Sequence, residues 1–356
     1  MNKLVLIGNG FDLAHGLKTK YSDFIVWYLN KVLNSLLKNP IYDDDLLRIE
    51  SRYLLININI VSIEGFNNKI NNENTRVIYK HDFFKQIVLA SKDYGWVDIE
   101  YEYYATLINI FRKLEKINLD RFPSISLELK HLNSCFDFIK KELVEYLLTI
   151  DYKLHKIEED ISKHFFEGIV QPFTFNKKAD NYGKRVLFLN FNYTSTVELY
   201  LKDDILKNYC TVNYIHGKLN DNQNPIIFGY GDEMDTYYEK IERLNHNDFL
   251  NIFKSFGYFR TKNYQNLINF IDSDSFYVYI MGHSCGLSDR VLLNSIFEHS
   301  NCKSIKIYYF QKNETENDFF EKTQEISRHF KAEGKAKMRE IIVPFPECKP
   351  LTNFKS

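Results

Sequence analysis

Short runs of apolar residues that stop abruptly at glycine or polar residues are the main pattern of this chain. Six such runs are predicted to be strands: 3–7, 185–190, 212–215, 225–229, 275–282 and 303–310. Unbroken apolar runs are typical of strands buried on both faces, as in a parallel sheet. Residues 287–300 between the last two runs carry apolar positions at helical spacing, which predicts a βαβ unit. The pattern predicts an α/β fold with a three-layer, Rossmann-like parallel sheet.

The first strand is separated from the others by a long segment of different character. Residues 21–37 have apolar positions at helical spacing, whereas residues 38–82 are rich in Asn and Asp and predict irregular structure. Residues 98–168 predict helices, with one apolar face. The members of that face are Ile139, Leu143, Tyr146, Ile150, Ile157 and Ile161. The predicted division is a nucleotide-binding α/β domain of residues 1–37 and 184–356, with a mostly helical insertion lobe of residues 38–183.

Composition narrows the class of protein and of partner. The 356 residues carry a net charge of -1, which gives no argument for a nucleic-acid or anionic-membrane partner. The five cysteines are scattered and form no CxxC pair, which argues against a disulfide framework and a zinc ribbon. No apolar stretch reaches the roughly 18 residues of a membrane helix, and the chain lacks a signal-peptide pattern. We therefore expect a cytoplasmic protein without a metal site.

The loop after the first strand has the composition of a phosphate-binding turn. Gly8 allows a sharp turn where the strand ends, and Gly10 leaves room for backbone N–H groups to meet a diphosphate. Asp12 accepts hydrogen bonds either from ribose hydroxyls or from the loop itself. The third glycine of the dinucleotide fingerprint is displaced, so an ordinary strand-to-helix turn is an equal alternative.

Polar residues or glycines follow the later predicted strands as well. Asn192 follows the run 185–190, His216 follows 212–215, and Ser284 lies just beyond 275–282. Ligands bind beyond the carboxyl ends of parallel strands, so we expect these residues to converge with Gly10 on one cavity. Two structural alternatives remain: Asn192 or Thr194 caps the following helix, and His216 is a core residue.

The order of the motifs resembles a known family. "LIGNGFDLAHGLKTKYSDF", "FNYTS", "IHG", "FGYGD" and "GHSCGLSD" are similar to motifs of the AbiH family of bacteriophage abortive-infection proteins. The same order resembles, more distantly, the sirtuin-like NAD-binding fold. The first resemblance implies a role in phage defence. The second implies a sirtuin-like domain that binds NAD. Defence proteins with such domains often hydrolyse NAD, so this resemblance also implies NAD hydrolysis.

The sirtuin-like resemblance also implies roles for individual residues. Asn192 and His216 correspond to the catalytic asparagine and histidine. The residues implied in nucleotide binding are Gly8, Asn9, Gly10, Phe11, Asp12, Gly282, His283, Ser284 and Asp289. Thr194 replaces a carboxylate of the sirtuin-like pattern, and the absent CxxC pairs argue against a deacetylase. Cleavage of the nicotinamide–ribose bond releases a neutral leaving group, so it requires neither a general acid nor a metal.

Three functions remain open on the sequence. The first is a defence effector that binds NAD and hydrolyses its nicotinamide–ribose bond. The second is a non-catalytic module that senses a nucleotide or a phage component and acts through the helical lobe. The third is an enzyme acting on another nucleotide or on nucleic acid, although the near-neutral charge argues against nucleic acid. The expected partner is a small-molecule nucleotide, and a homo-oligomer or a phage-derived trigger stays open.

Overall fold

The computed structural model divides the chain into two compact units, which are described separately. It describes residues 1–52, 59–72, 75–94, 98–116, 122–150, 156–165, 185–202 and 209–354. The sheet unit comprises Met1–Lys18, Asp151–Met234 and Phe253–Ser356, and the helical unit comprises Thr19–Ile150 and Asp235–Ile252. The helical unit thus includes residues 19–37 and 235–252, in addition to most of the segment predicted as the lobe.

The regular elements of the described residues are numbered in chain order. The strands are β1 (Asn2–Ile7), β2 (Ile41–Asp43), β3 (Leu47–Glu50), β4 (Arg76–Tyr79), β5 (Val186–Asn190), β6 (Cys210–Tyr214), β7 (Phe276–Met281), β8 (Cys302–Tyr309) and β9 (Lys349–Pro350). The α-helices are α1 (Asn9–Ala14), α2 (Tyr21–Ser35), α3 (Ile63–Asn72), α4 (Asp82–Tyr94), α5 (Ile99–Glu115), α6 (Phe122–Leu148), α7 (Glu159–Lys163), α8 (Thr236–Arg243), α9 (Lys254–Gly257), α10 (Asn263–Ser273), α11 (Arg290–Phe297), α12 (Phe319–Ser327) and α13 (Lys335–Ile341). Short 3-10 helices span Thr196–Tyr200, Asn247–Phe249, Tyr258–Arg260, Leu287–Asp289 and Phe345–Glu347.

The sheet unit is built on a six-stranded parallel sheet in the order β6-β5-β1-β7-β8-β9. In chain order of its own strands this is 3-2-1-4-5-6, the order of a doubly wound nucleotide-binding fold. Leu4 of β1 pairs with Leu187 of β5 on one side and with Val278 of β7 on the other. The strand order reverses between β1 and β7, and the carboxyl ends of these two strands therefore flank the topological switch point.

Helices cover both faces of this sheet, which confirms the three-layer prediction. Leu4 and Leu6 of β1 belong to one apolar core, together with residues of α10 and α11. Val5 and Ile7 belong to a second core, together with Phe11 of α1 and residues of α7. Alternate residues of a strand point to opposite faces, so β1 must be apolar at each position from Leu4 to Ile7 to fill both cores.

The prediction of irregular structure over residues 38–82 is wrong. This segment forms α3 and a three-stranded antiparallel sheet in the order β2-β3-β4. In β3, Leu47 and Ile49 are buried, whereas Arg48 and Glu50 alternate with them and are partly exposed. Strands of three or four residues give too short an alternation to stand out from an Asn- and Asp-rich background.

Two further sequence predictions need correction. The run 225–229 forms no regular strand: Ile227 donates its N–H to the carbonyl of His216, and a neighbouring bridge between described residues pairs Tyr230 with Phe253. Its apolar side chains fill the core without joining the sheet. The continuous helical face predicted through Ile157 breaks because α6 ends at Leu148, and Ile157 is 47% exposed. Residues 166–184, which span the predicted domain boundary, lie outside the described residues.

The helices of the described residues do not include one that is both long enough and apolar enough to cross a bilayer.

Candidate functional site

The loops that follow β1 and β7 meet at the switch point through glycines. Gly10 donates its N–H to the carbonyl of Gly282 at 2.8 Å, and Gly8 donates to the carbonyl of Met281 at 3.3 Å. Gly282 has a φ of 77°, in the region that favours glycine. A Cβ on Gly282 would overlap the backbone nitrogen of Phe11 and lie 2.6 Å from the carbonyl carbon of Gly10. These glycines therefore allow two backbone segments to touch.

This contact uses the N–H groups that the sequence associated with a diphosphate. Besides those of Gly8 and Gly10, the N–H of Phe11 is engaged, since it donates to the carbonyl of Gly8 at 2.8 Å. Phe11 itself packs in the core, where its ring lies 6.2 Å from that of Phe165 and 5.8 Å from that of Tyr200. In this arrangement the glycines of the GxG sequence allow contacts within the chain. Because their N–H groups are engaged, side chains are the main groups that remain to bind a ligand.

Asp12 and Asn192 form a buried polar group next to these glycines. The Asn192 Nδ2 donates to the carbonyl of Gly8 at 3.0 Å, and the Thr194 hydroxyl donates to Asp12 Oδ2 at 2.6 Å. Burial raises the pKa of Asp12 to about 6, although hydrogen bonds, first among them that of Thr194, oppose the rise. Asp12 Oδ1 is buried and has no hydrogen-bond partner among the described residues. Neither Asn192 nor Thr194 caps the following 3-10 helix through its side chain.

A second buried group centres on Asp289, at the start of α11. Its Oδ1 lies 2.9 Å from Lys254 Nζ and 3.1 Å from His216 Nε2, and its Oδ2 lies 3.6 Å from His283 Nε2. All four side chains are more than nine-tenths buried. The ring of Phe191 packs against both imidazoles, with centroid distances of 5.1 Å to His216 and 4.0 Å to His283.

The charges of this group follow from its burial. Burial opposes ionisation of Asp289, but the Lys254 ammonium and His216 hold the pKa of this carboxyl well below its usual range. Burial, followed by the charge of Lys254, lowers the pKa of His216, and burial lowers the pKa of His283. Asp289 and Lys254 therefore form an ion pair at neutral pH, next to two neutral imidazoles. The described residues contain no group of three or more His, Cys, Asp or Glu placed to hold a metal ion.

The contacts fix which nitrogen of each imidazole carries the proton. His283 Nδ1 accepts the N–H of Cys285 at 3.0 Å, so the proton of the neutral ring is on Nε2 and faces Asp289. His216 Nε2 faces the carboxylate of Asp289, so it too carries the proton. The hydroxyl of Tyr258 lies further away, 3.4 Å from the same nitrogen. His216 Nδ1 thus keeps its lone pair, and no described residue is hydrogen-bonded to it.

The structure brings together many, but not all, of the residues singled out in the sequence. Asn192 binds Gly8, and Phe191 beside it packs on His216 and His283, so these groups share the carboxyl edge of the sheet. Ser284 is exposed on the same loop, and its hydroxyl accepts the N–H of Gly286 at 3.3 Å. Asn9 is also exposed.

Sequence reasoning missed Lys254, Tyr258 and Phe191. Lys254 and Tyr258 do not follow a predicted strand, and their approach to His216 depends on tertiary contacts. Phe191 lies between two polar residues that drew attention instead. The one signal in the sequence was a lysine within the aromatic-rich stretch "NIFKSFGYF" at residues 251–259.

Comparisons with known proteins give one match. No curated protein and no solved structure matches the chain. The sirtuin-like resemblance therefore stays a prediction. The model of the family described as "Bacteriophage abortive infection AbiH" matches residues 4–311, and the chain belongs to this family.

Proposed function

We propose that this AbiH-family protein acts in abortive infection by binding NAD at the carboxyl edge of its parallel sheet and hydrolysing the nicotinamide–ribose bond. The observation that carries the proposal is the buried pair of His216 and Asp289 beside the β1–β7 switch point. Doubly wound sheets bind nucleotides at that point. A buried histidine with a perturbed pKa and a fixed carboxylate partner is typical of a catalytic site.

The nucleotide is bound chiefly by side chains at this edge. Asn192 donates its amide to Gly8, and its Oδ1 has no hydrogen-bond donor among the described residues, which leaves it to accept from a ribose hydroxyl. Ser284 is exposed and contributes a hydroxyl to the adenosine side. The pyridinium of NAD carries a positive charge. Burial raises the pKa of Asp12 to about 6, which is still below neutral pH, so this side chain meets that charge as a carboxylate.

His216 acts as the general base. Asp289 accepts a hydrogen bond from the Nε2–H of His216 and thereby holds the tautomer in which Nδ1 has a lone pair. A water molecule gives a proton to Nδ1 while its oxygen bonds to the anomeric carbon of the ribose. The carbon–nitrogen bond breaks, and its electron pair passes to the pyridinium nitrogen. Neutral nicotinamide leaves, and ADP-ribose and a proton remain.

A second candidate function is nucleotide sensing without turnover. It is favoured because the charged and polar groups of the site already have partners within the protein. Lys254 neutralises Asp289 at 2.9 Å, and the N–H groups of Gly8 and Gly10 form hydrogen bonds within the chain. Structural ion-pair networks also perturb pKa values, so the cluster fits a stable binding surface as well as a catalyst.

Release of nicotinamide tests the proposal. Purified protein is incubated with NAD, and free nicotinamide is measured by chromatography for the wild type, His216→Ala and a control, His299→Ala. His299 pairs with Asp272 at 3.0 Å and packs on Phe276, the first residue of β7, at the opposite edge of the sheet. Loss of a general base costs about 100- to 10,000-fold in rate.

We expect that loss only in His216→Ala, with NAD affinity kept in a parallel titration. Saturable NAD binding without nicotinamide release in the wild type supports the sensing function instead. No binding of NAD contradicts both the proposed hydrolysis and any sensing of NAD.

A further inference from the structure

The helical unit contains a cavity of its own, remote in sequence from the residues at the carboxyl edge of the parallel sheet. Its volume is about 790 Å³, within the roughly 300–1,000 Å³ that is usual for small-molecule sites. The walls are the end of β4, the first turn of α4, one face of α5 and part of α6. We propose that this cavity binds a phosphorylated nucleoside, independently of the function proposed for the sheet unit.

Positive charge predominates in the lining. The cationic side chains are Lys80, Arg112, Lys113 and Lys116, and the acidic ones are Asp82 and Glu128. Asn109, Lys113 and Lys116 follow one another at spacings of four and three residues, so they occupy one face of α5 and its end. A concentration of cations on one helix face favours an anionic ligand.

The cations of α5 are held by contacts that a ligand phosphate can exchange or share. Lys113 Nζ lies 2.6 Å from Glu128 Oε1, and both side chains are solvent-accessible, so this pair is weak. Arg112 donates through Nε to the hydroxyl of Tyr237 at 2.9 Å and lies 4.8 Å from the centre of that ring. This contact leaves the two terminal amino groups of Arg112 for a bidentate bond to phosphate. Lys116 makes no ion pair with any described residue.

The other side of the cavity suits a nucleobase. Tyr79 contributes aromatic surface, and Asn109 and Gln86 contribute amides that both donate and accept hydrogen bonds. His81 Nδ1 accepts the N–H of Phe83 at 3.0 Å, so the proton of the neutral ring is on Nε2. Burial, and then the neighbouring His131, lower the pKa of His81 and keep it neutral. A neutral donor, two amides and an aromatic ring are groups that recognise a nucleobase. Free phosphate has no base for them to recognise.

Calorimetric titration with ADP tests the cavity. The variants are Lys116→Gln and Arg112→Gln, and the control is Lys130→Gln, which removes an exposed charge from α6 outside the lining. A charge-assisted hydrogen bond is of the size that changes affinity about tenfold or more. We expect such a loss in both lining variants, an unchanged affinity in the control, and unchanged melting temperatures in all three. Inorganic phosphate at the same concentration should not displace ADP.

The outcomes separate this cavity from the sheet unit. ADP binding that is kept at full affinity in both Lys116→Gln and Arg112→Gln overturns the cavity proposal and leaves the NAD proposal standing. Absence of ADP binding to the wild type, or equal losses in Lys116→Gln and Lys130→Gln, also overturns it. Displacement by equimolar phosphate contradicts recognition of the nucleoside.

Discussion

Replacement of Gly282 by alanine tests the close contact between the loops after β1 and β7. The substitution adds one methyl group to a residue whose φ is 77°. That methyl would overlap the backbone nitrogen of Phe11 and lie 2.6 Å from the carbonyl carbon of Gly10. Both neighbours are backbone atoms, so the overlap is relieved only if the two loops move apart.

The magnitude follows from what such a movement breaks. A positive φ costs a residue with a Cβ about 1–2 kcal/mol. Separation of the loops also strains the hydrogen bonds that Gly8 and Gly10 donate to the β7 end, each with a net value of about 0.5–1.5 kcal/mol. We expect Gly282→Ala to lower the free energy of unfolding by about 2–5 kcal/mol. That is a large part of the about 5–15 kcal/mol typical of a folded domain.

Gly16→Ala is the matched control for this measurement. Gly16 has nearly the same φ, 76°, but a Cβ there meets no atom within 4 Å. Gly16→Ala therefore lowers the free energy of unfolding only by the conformational cost of a positive φ, about 1–2 kcal/mol. Urea denaturation of both variants, followed by circular dichroism, gives the two free energies. Equal losses, to within about 0.5 kcal/mol, would refute the argument that Gly282 is required by close backbone approach.

Three further predictions concern buried ionisable groups. Asp289→Asn leaves the ammonium of Lys254 buried without a counter-charge, so we expect a loss of about 3–5 kcal/mol in the free energy of unfolding. The exposed control Asp272→Asn should cost less than about 0.5 kcal/mol, and equal costs would contradict the ion pair. The pKa of Asp12 is raised from 3.8 to about 6, so the folded state binds more protons between these values and stability falls as pH rises through this range. That fall amounts to about 3 kcal/mol, and Asp12→Asn should abolish it; identical pH profiles of the two proteins would disprove it. The five cysteines are free and buried, and burial raises the pKa of the Cys285 thiol to about 12. Ellman's reagent should therefore react with all five thiols in denaturant and with none rapidly in the native protein, and rapid native labelling would contradict this burial.

The sequence was sufficient to predict the sheet because its central strands are buried on both faces. β1, β5 and β7 appear as unbroken apolar runs, and their boundaries differ from the predicted ones by one residue. The segment 225–229 looked the same in sequence yet forms no strand, because its apolar side chains fill a core while its backbone bonds elsewhere. An apolar run reports burial, and only tertiary contacts decide whether the backbone joins a sheet.

The position of the candidate site could be predicted from the sequence, but the contacts between its side chains could not. Strand ends identified Asn192 and His216, since parallel strands present their carboxyl ends at one edge. Lys254 was missed because its partner Asp289 lies 35 residues away. The glycine loop shows the same limit. Gly10 leaves room for a close neighbour. The sequence does not indicate whether that neighbour is a ligand or the backbone of Gly282.

A crystal structure of the His216→Ala variant grown with NAD tests the central claim most directly. This variant lacks the proposed general base, so it should bind NAD without consuming it. We predict nucleotide density beyond the carboxyl ends of β1 and β7, with the nicotinamide ribose within hydrogen-bond distance of Asn192 Oδ1. Density for NAD in any other part of the molecule, with the switch point empty, would contradict the proposed site.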